Sequence, residues 1–382
     1  GTMELVTGTT KKGRMKAIGR LAETAILADA MAKLGQHEIA VQYARQGLAY
    51  VRRSQYQGGI PQTLLDSWQA PTPEGVLLRQ CLAFSNHSSF LARQKSQEWL
   101  MAWAKLEPEN PEPFLRFGLL FALVASEAGL PVPQAALDAL KHAQQRQRDE
   151  RPMLALALLS GPLKEFCAPY DGTAIFLRPD IRALSTYVLL EQGDWFEAEL
   201  DLLRVLVQPG DCMLDLGCNI GVYALSAAQR VGDTGRVIAI EENKETFRLL
   251  EKSAILSPRV RALNVACTAD MKLDALLCEE KINALDFVKV SFETRKILLG
   301  ENARSILDGA PILIYELRDG ENPDLSFEAE LRARGFDSYV YLAGQRALTL
   351  FTENTDLDDS VINLVAMRPD SLGRLGGSIR LV

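Results

Sequence analysis

Apolar and polar positions along the chain follow two rhythms. From about residue 12 to residue 150, Ala- and Leu-rich segments recur at helical spacing. Short turns such as Gln57-Gly58-Gly59-Ile60-Pro61 and Glu107-Pro108-Glu109-Asn110-Pro111 break them. Residues 134–151 form a polar, charged helix that runs up to Pro152, with a linker expected between there and Pro169. Beyond it, short apolar runs alternate with amphipathic ones. Strands are predicted at 173–177, 212–216, 236–240, 260–266, 286–290, 311–317, 338–342 and 361–366. Helices are predicted at 197–207, 244–256, 273–278, 297–307 and 325–334. This alternation predicts a Rossmann-like, doubly wound and mostly parallel sheet over residues 152–382, preceded by an all-α domain over residues 1–151. The last two strands have no helix between them, which predicts an antiparallel hairpin at one edge.

Within the helical half, Leu34-Gly35-Gln36-His37-Glu38-Ile39-Ala40, followed by Tyr43, Gly47 and Leu48, resembles the tetratricopeptide pattern, with a small residue at each close helix crossing. Trp99 to Leu120 reads as a second helix–Pro–helix junction of that kind, and an ordinary helical bundle is the other reading. Stacked helical repeats present a concave surface, so this half is expected to meet a protein partner, such as the acceptor's carrier, or to self-associate. Trp68, Trp99 and Trp103 read as packing anchors.

Composition narrows the class. Over 382 residues, hydrophobic residues make up 47%, charged residues 24%, and the net charge is −7. Those values suit a globular protein and lack the basic stripe of a nucleic-acid binder. The longest strongly apolar run, Phe117 to Ser126, is too short to span a bilayer. The basic N-terminus has no apolar signal core behind it, and Gly1-Thr2-Met3 reads as a remnant placed before a native Met. The six cysteines form no CxxC pair and read as reduced thiols in a cytoplasmic protein. No Cys, His or carboxylate cluster has metal-ligand spacing. His37, His87 and His142 all precede residue 150 and read as surface or packing histidines, which leaves the α/β half without one.

The chemistry-bearing stretch is Leu214-Asp215-Leu216-Gly217-Cys218-Asn219-Ile220-Gly221-Val222-Tyr223. A strand ends in an acid, a turn with two glycines follows, and a helix begins. In such sheets ligands bind at the carboxyl ends of strands, and glycines there let the backbone approach a ligand closely. The next strand ends in Glu241, placed to accept hydrogen bonds from both hydroxyls of a ribose. The dinucleotide fingerprint GxGxxG is not met, since Asn219 and Val222 stand at its second and third glycines, and there is no GxxxxGK[ST]. A ribose-bearing cofactor without phosphates, S-adenosylmethionine, fits this pattern. Its sulfonium favours carboxylates such as Asp215. Cofactor contacts are therefore expected at Asp215, Gly217, Cys218, Asn219, Gly221, Glu241 and Ala266, with Cys218 packing rather than reacting.

Residues 170–367 resemble the FkbM family of class I methyltransferases. The resemblance is carried by Gln192-Gly193-Asp194-Trp195, the helix with Glu199, Pro209-Gly210-Asp211, the DxGxNxG turn with Tyr223, and Glu241-Glu242-Asn243. It continues through Leu263-Asn264-Val265-Ala266, Leu273-Asp274, Asp286 to Val290, Pro311 to Glu316, Gly335-Phe336 and Asn363. It implies methyl transfer to a hydroxyl, often on a sugar or a natural product. The family usually reads Lys-Ile-Asp-Val-Glu-Gly after its fourth strand, where this chain has Lys289-Val290-Ser291-Phe292-Glu293-Thr294. The segment between Ala266 and Leu273 is also short. The cofactor half is thus kept and the acceptor half altered.

A hydroxyl acceptor needs a base. With no histidine available, the candidates are Glu293, which is favoured, then Glu316, Asp286, a neutral Lys289, or a group from the helical half. Lys289 is expected to pair with a carboxylate. Two other readings stand beside the O-methyltransferase: a catalytically degenerate binding or scaffold protein, and an enzyme whose acceptor is a nitrogen or a peptide. The acceptor is expected to be a small molecule, a glycan or a peptide.

Overall fold

The computed structural model describes residues 100–382, apart from 102–103, 106–107, 147–148, 318–322, 343–344, 353 and 356–360. The repeat-like segment at 34–48, His37, His87, Trp68, Trp99 and Trp103 lie outside the described residues.

Three helices open the described chain: α1 (Glu112–Glu127), α2 (Gln134–Arg146) and α3 (Arg151–Leu159). Pro113 and Pro152 sit in the first turns of α1 and α3, where a missing N–H costs nothing. The segment expected to be a linker holds α3 and the strand β1 (Phe166–Tyr170), which pairs antiparallel with β2 (Thr173–Leu177). The two-residue turn between them, Asp171-Gly172, has positive φ at both positions, the backbone that Asp-Gly favours in hairpins. Leu115, Leu119, Leu123 and Leu140 of α1 and α2 belong to one buried cluster with the hairpin and one face of the large sheet.

After α4 (Leu184–Gln192) and α5 (Ala198–Leu206), the main sheet begins. Its elements in chain order are β3 (Cys212–Leu216), α6 (Val222–Ala228), β4 (Arg236–Ile240), α7 (Lys244–Ile255) and β5 (Val260–Leu263). Next come α8 (Leu273–Glu279), β6 (Phe287–Val290), α9 (Arg304–Asp308), β7 (Ile312–Glu316) and α10 (Ser326–Ala333). The last strands are β8 (Asp337–Leu342), β9 (Ala347–Leu350), β10 (Asn363–Met367) and β11 (Arg380–Leu381). Their spatial order is β11-β9-β8-β10-β7-β6-β3-β4-β5. From β5 to β7 all pairings are parallel. This is a Rossmann-like, doubly wound sheet. Alternate residues of each strand enter opposite cores: Met213, Val237, Phe287 and Ile312 on one face, and Leu214, Ile238, Val288 and Leu313 on the other.

Three sequence expectations are corrected. The last strands do not make an edge hairpin. β10 returns between β7 and β8, antiparallel to both, and β9 with β11 forms the edge. The helix expected over 297–307 is split into 3₁₀ turns at Arg295–Leu299 and Glu301–Ala303 before α9, because Gly300 between them is extended. β5 stops at Leu263 because the Asn264 amide turns back to donate to the carbonyls of Glu241 and Glu242.

Candidate functional site

β3 has β4 and β5 on one side and β6 and β7 on the other. The chain therefore reverses its winding direction beside the carboxyl end of β3, the place where open α/β sheets hold ligands. A cleft of about 380 Å³ opens there. Its charged lining is Arg178, Glu197, Asp215, Lys289 and Glu316, and the backbone from Gly217 to Ile220 forms its floor.

Strand register explains the polar stripe. Asp215 stands opposite Lys289, and Glu316 stands opposite Asn363 on β10. Lys289 is level with Ile314, two residues before Glu316, so all four point to the same sheet face. Lys289, only 5% exposed, lies 3.3 Å from a Glu316 carboxylate oxygen and 5.1 Å from the Tyr223 ring centroid. The other Glu316 oxygen accepts the Phe292 N–H at 3.1 Å. Buried Arg295 donates to the Glu316 carbonyl and to Asp324, holding the end of β7 in place. Asp215 is 2% exposed and accepts the Ala224 N–H at the first turn of α6. Burial pushes its carboxyl up to about 7, even with Lys289 alongside.

The glycine turn is held by the protein itself. The N–H groups of Gly217 and Cys218 both donate to the Ile240 carbonyl. Gly217 has φ +74, and a Cβ there would press into the Ser291 hydroxyl and lie 3.0 Å from the Thr294 hydroxyl. Gly221 has φ +84, and its Cβ would lie 2.5 Å from Leu250. Neighbouring side chains, as well as backbone conformation, therefore require these glycines. Thr294 donates to the Leu216 carbonyl at 3.0 Å. Ser291 and Thr294 thus both meet the turn itself.

Glu241 lies beneath the turn. One carboxylate oxygen accepts the Asn219 N–H at 2.9 Å, and the other accepts the Asn243 N–H at 2.8 Å. A carboxylate has about four lone-pair positions, so these bonds leave capacity for further donors. Asn243 also caps α7, accepting from Glu245 and Thr246.

The structure brings Asp215, Gly217, Cys218, Asn219, Lys289 and Glu316 together in the cleft. Gly221 caps α6 next to it. Glu293 and Ala266 are exposed on loops and do not line it. Asp286 lies at the opposite, amino-terminal ends of the strands, bound to the Cys212 N–H and Arg374, and so is no base for this cleft. Cys218 is buried, and burial raises its thiol well above the ordinary range, as packing requires. His142 packs against Phe114, with ring centroids 3.9 Å apart.

Sequence reasoning passed over Glu197. Its carboxylate lines the cleft and accepts from the Tyr223 hydroxyl and the Asn363 amide, both at 2.9 Å. The same amide donates to Glu199 at 3.0 Å. Burial and the Glu197 charge push Glu199 up to about 7. Trp195 lines the cleft because Arg204 clamps its neighbour Asp194 with two bonds of 2.7 and 2.8 Å, and Gly193 ends α4 in the left-handed region. The signal available was the Gln192-Gly193-Asp194-Trp195 turn followed by two acids two residues apart. Among the described residues, no group of three or more His, Cys, Asp or Glu side chains forms a metal site, and no helix is long and apolar enough to cross a membrane.

No protein-family model matches the chain. The demethylmenaquinone methyltransferase of Lactobacillus johnsonii is 25% identical over 147 residues, which is 37% of this chain and 58% of that protein. The chain therefore spans little more than half the length of that relative. A SAM-dependent methyltransferase from Aquifex aeolicus is 19% identical, covering 45% of this chain and 88% of its own, with a TM-score of 0.31. Fibrillarin from Aeropyrum pernix, with natively bound S-adenosyl-L-methionine, is 16% identical over 55% of this chain and 86% of its own, with a TM-score of 0.32. A SAM-dependent O-methyltransferase from Thermotoga maritima is 14% identical over 56% and 81%, also with a TM-score of 0.32. Likenesses of this size assign no substrate or reaction to this chain, and its Rossmann-like architecture rests on its own strand order.

Proposed function

We propose that the chain is an S-adenosylmethionine-dependent methyltransferase of the FkbM kind, acting on a hydroxyl of a sugar or natural product. The observation that carries this reading is the acid-lined cleft at the switch point, floored by a glycine turn without a phosphate-binding fingerprint. The residues suit the cofactor. Glu241, buried beneath the turn and not itself in the cleft lining, is read as the acceptor for ribose hydroxyls through the lone pairs that the Asn219 and Asn243 N–H groups leave free, and Asp215, Glu197 and Glu316 in the lining favour positive charge.

When bound, the cofactor supplies an electrophilic methyl group on a sulfonium. The chain's part is to align the acceptor with that group and to take its proton. We assign the proton to Glu316. It lines the cleft, while its ion pair with Lys289 and its bond from the Phe292 N–H fix its orientation. Lys289 serves to position Glu316. Glu293, exposed and outside the cleft lining, is not given the role.

Isothermal calorimetry with S-adenosylhomocysteine tests the cofactor assignment, and no binding removes it. Formation of S-adenosylhomocysteine from S-adenosylmethionine with candidate acceptors tests catalysis. Cofactor bound without turnover on any hydroxyl, amine or peptide acceptor selects the scaffold reading, and turnover on an amine or peptide alone selects that acceptor class.

A further inference from the structure

The cleft has an apolar corner that neither the glycine turn nor the acids account for. Trp195 and Leu184 both line it, the first half-buried and the second 45% exposed. Trp195 packs on the buried cluster of Val188, Phe196 and Ile362, its ring centroid 4.7 Å from that of Phe196. Leu184 precedes Val188 by one turn of α4 and so shares its face. Ile362 adjoins Asn363, the β10 residue opposite Glu316, and its carbonyl accepts the Leu317 N–H just past β7. The corner therefore stands on the β7–β10 side of β3, with Glu316. Glu241 stands on the other side, past the end of β4.

The backbone that carries the indole is held by several elements. Asp194 accepts the Trp195 N–H at 2.7 Å, and Arg204 of α5 grips the same carboxylate while bonding to Asp171 in the hairpin turn and Ser226 on α6. An aromatic surface fixed in advance loses little freedom when a ligand covers it.

The polar groups beside it narrow the kind of ligand. Glu316 and Glu197 line the same side and present carboxyl oxygens, which repel an anionic acceptor. Lys289 is engaged with Glu316, and Arg178 stands at the α7 rim, 3.8 Å from Glu245. A pyranose ring offers an apolar C–H face for the indole and a rim of hydroxyl donors for carboxyl oxygens.

We infer that Trp195, with Leu184 beside it, is the platform for a neutral pyranose ring of the methyl acceptor, whose hydroxyls are directed to Glu316. The inference rests on the methyltransferase reading above and adds to it the acceptor's class and the residue that selects it.

The test uses the full chain saturated with S-adenosylhomocysteine, and saturation-transfer NMR titrations with three kinds of probe. The methyl glycosides of glucose, galactose and mannose supply a ring with a hydroxyl rim, phenol a flat ring with one hydroxyl, and glycerol hydroxyls without a ring. At least one glycoside is expected to bind, and phenol and glycerol are not. Trp195→Ala is expected to weaken that glycoside about tenfold, and Trp195→Phe about threefold or less, with S-adenosylhomocysteine affinity unchanged in both. Leu184→Ala, at an exposed position, is expected to weaken it about threefold and decides the matter if Trp195→Ala does not fold. If no glycoside binds while S-adenosylhomocysteine does, the inference is overturned and the cofactor reading stands. Glycoside binding that is unchanged in the Trp195 and Leu184 variants overturns it, as does binding of phenol alone. Loss of S-adenosylhomocysteine along with the glycoside in Trp195→Ala makes Trp195 a structural or cofactor residue and overturns it too. If S-adenosylhomocysteine does not bind the wild type, the methyltransferase reading falls and the inference with it.

Discussion

Gly217 and Ser291 share one packing contact: the space a Gly217 side chain would need is filled by the Ser291 hydroxyl, itself 2.9 Å from that of Thr294. Gly217→Ala meets both this clash and the cost of a left-handed backbone. It is expected to lose about 2–4 kcal/mol in denaturant unfolding. Adding Ser291→Ala should recover part of that loss, with a coupling above roughly 0.5 kcal/mol. Strict additivity of the two changes would show that Ser291 is not what excludes the side chain.

Glu241 joins the turn to the end of β4 through the Asn219 and Asn243 N–H groups. Glu241→Ala should reduce both stability and S-adenosylhomocysteine affinity, the latter by about 2–3 kcal/mol. Unfolding curves and calorimetry on the same preparation separate the two effects. A stability loss with unchanged affinity would leave Glu241 a purely structural staple.

Asp215 and Glu199 stand at about 7 in the folded protein, raised first of all by burial. Between the ordinary carboxyl range and pH 7 the folded state holds these protons and the unfolded state releases them. Their contribution is therefore complete at low pH and is lost as pH rises through about 7, by up to about 1.4 kcal/mol per pH unit for each group. Unfolding of wild type and Asp215→Asn from pH 4 to 8 should differ by that falling slope. A difference that rises with pH would contradict the burial argument. Binding of S-adenosylmethionine, a cation at sulfur, should strengthen from pH 6 to 8 with release of protons.

Turnover should depend on Glu316 rather than Glu293. Glu316→Gln is expected to lower the rate about 100- to 10,000-fold with cofactor affinity retained, and Glu293→Gln should be near wild type. The reverse order in a methyl-transfer assay would return the base to Glu293.

A chain starting at Pro152 keeps every residue that lines the cleft but loses α1 and α2 from the shared core. Its S-adenosylhomocysteine affinity is expected to match that of the full chain, while its unfolding midpoint falls. Loss of affinity along with stability would mean that the division at residue 151 cuts one cooperative unit.

The alternation of strands and helices, the turn at Gly217 to Gly221, and an acid at the end of β3 are all legible in the order of residues. These are short-range features, since periodicity, glycine spacing and turn chemistry act within a dozen residues. The remaining features depend on contacts between distant segments. Strand order placed β10 between β7 and β8, and no local pattern encodes which edge a returning strand chooses. That insertion brings Asn363 to Glu197 across 166 residues of chain. Strand parity put Glu316 on the face of Asp215 and Lys289, while Glu293, beyond the end of β6, fell outside the strand register that directs side chains to that face. The identity of Ser291 was plain from the start. Its reason, the space above Gly217, exists only once β3 and β6 lie side by side.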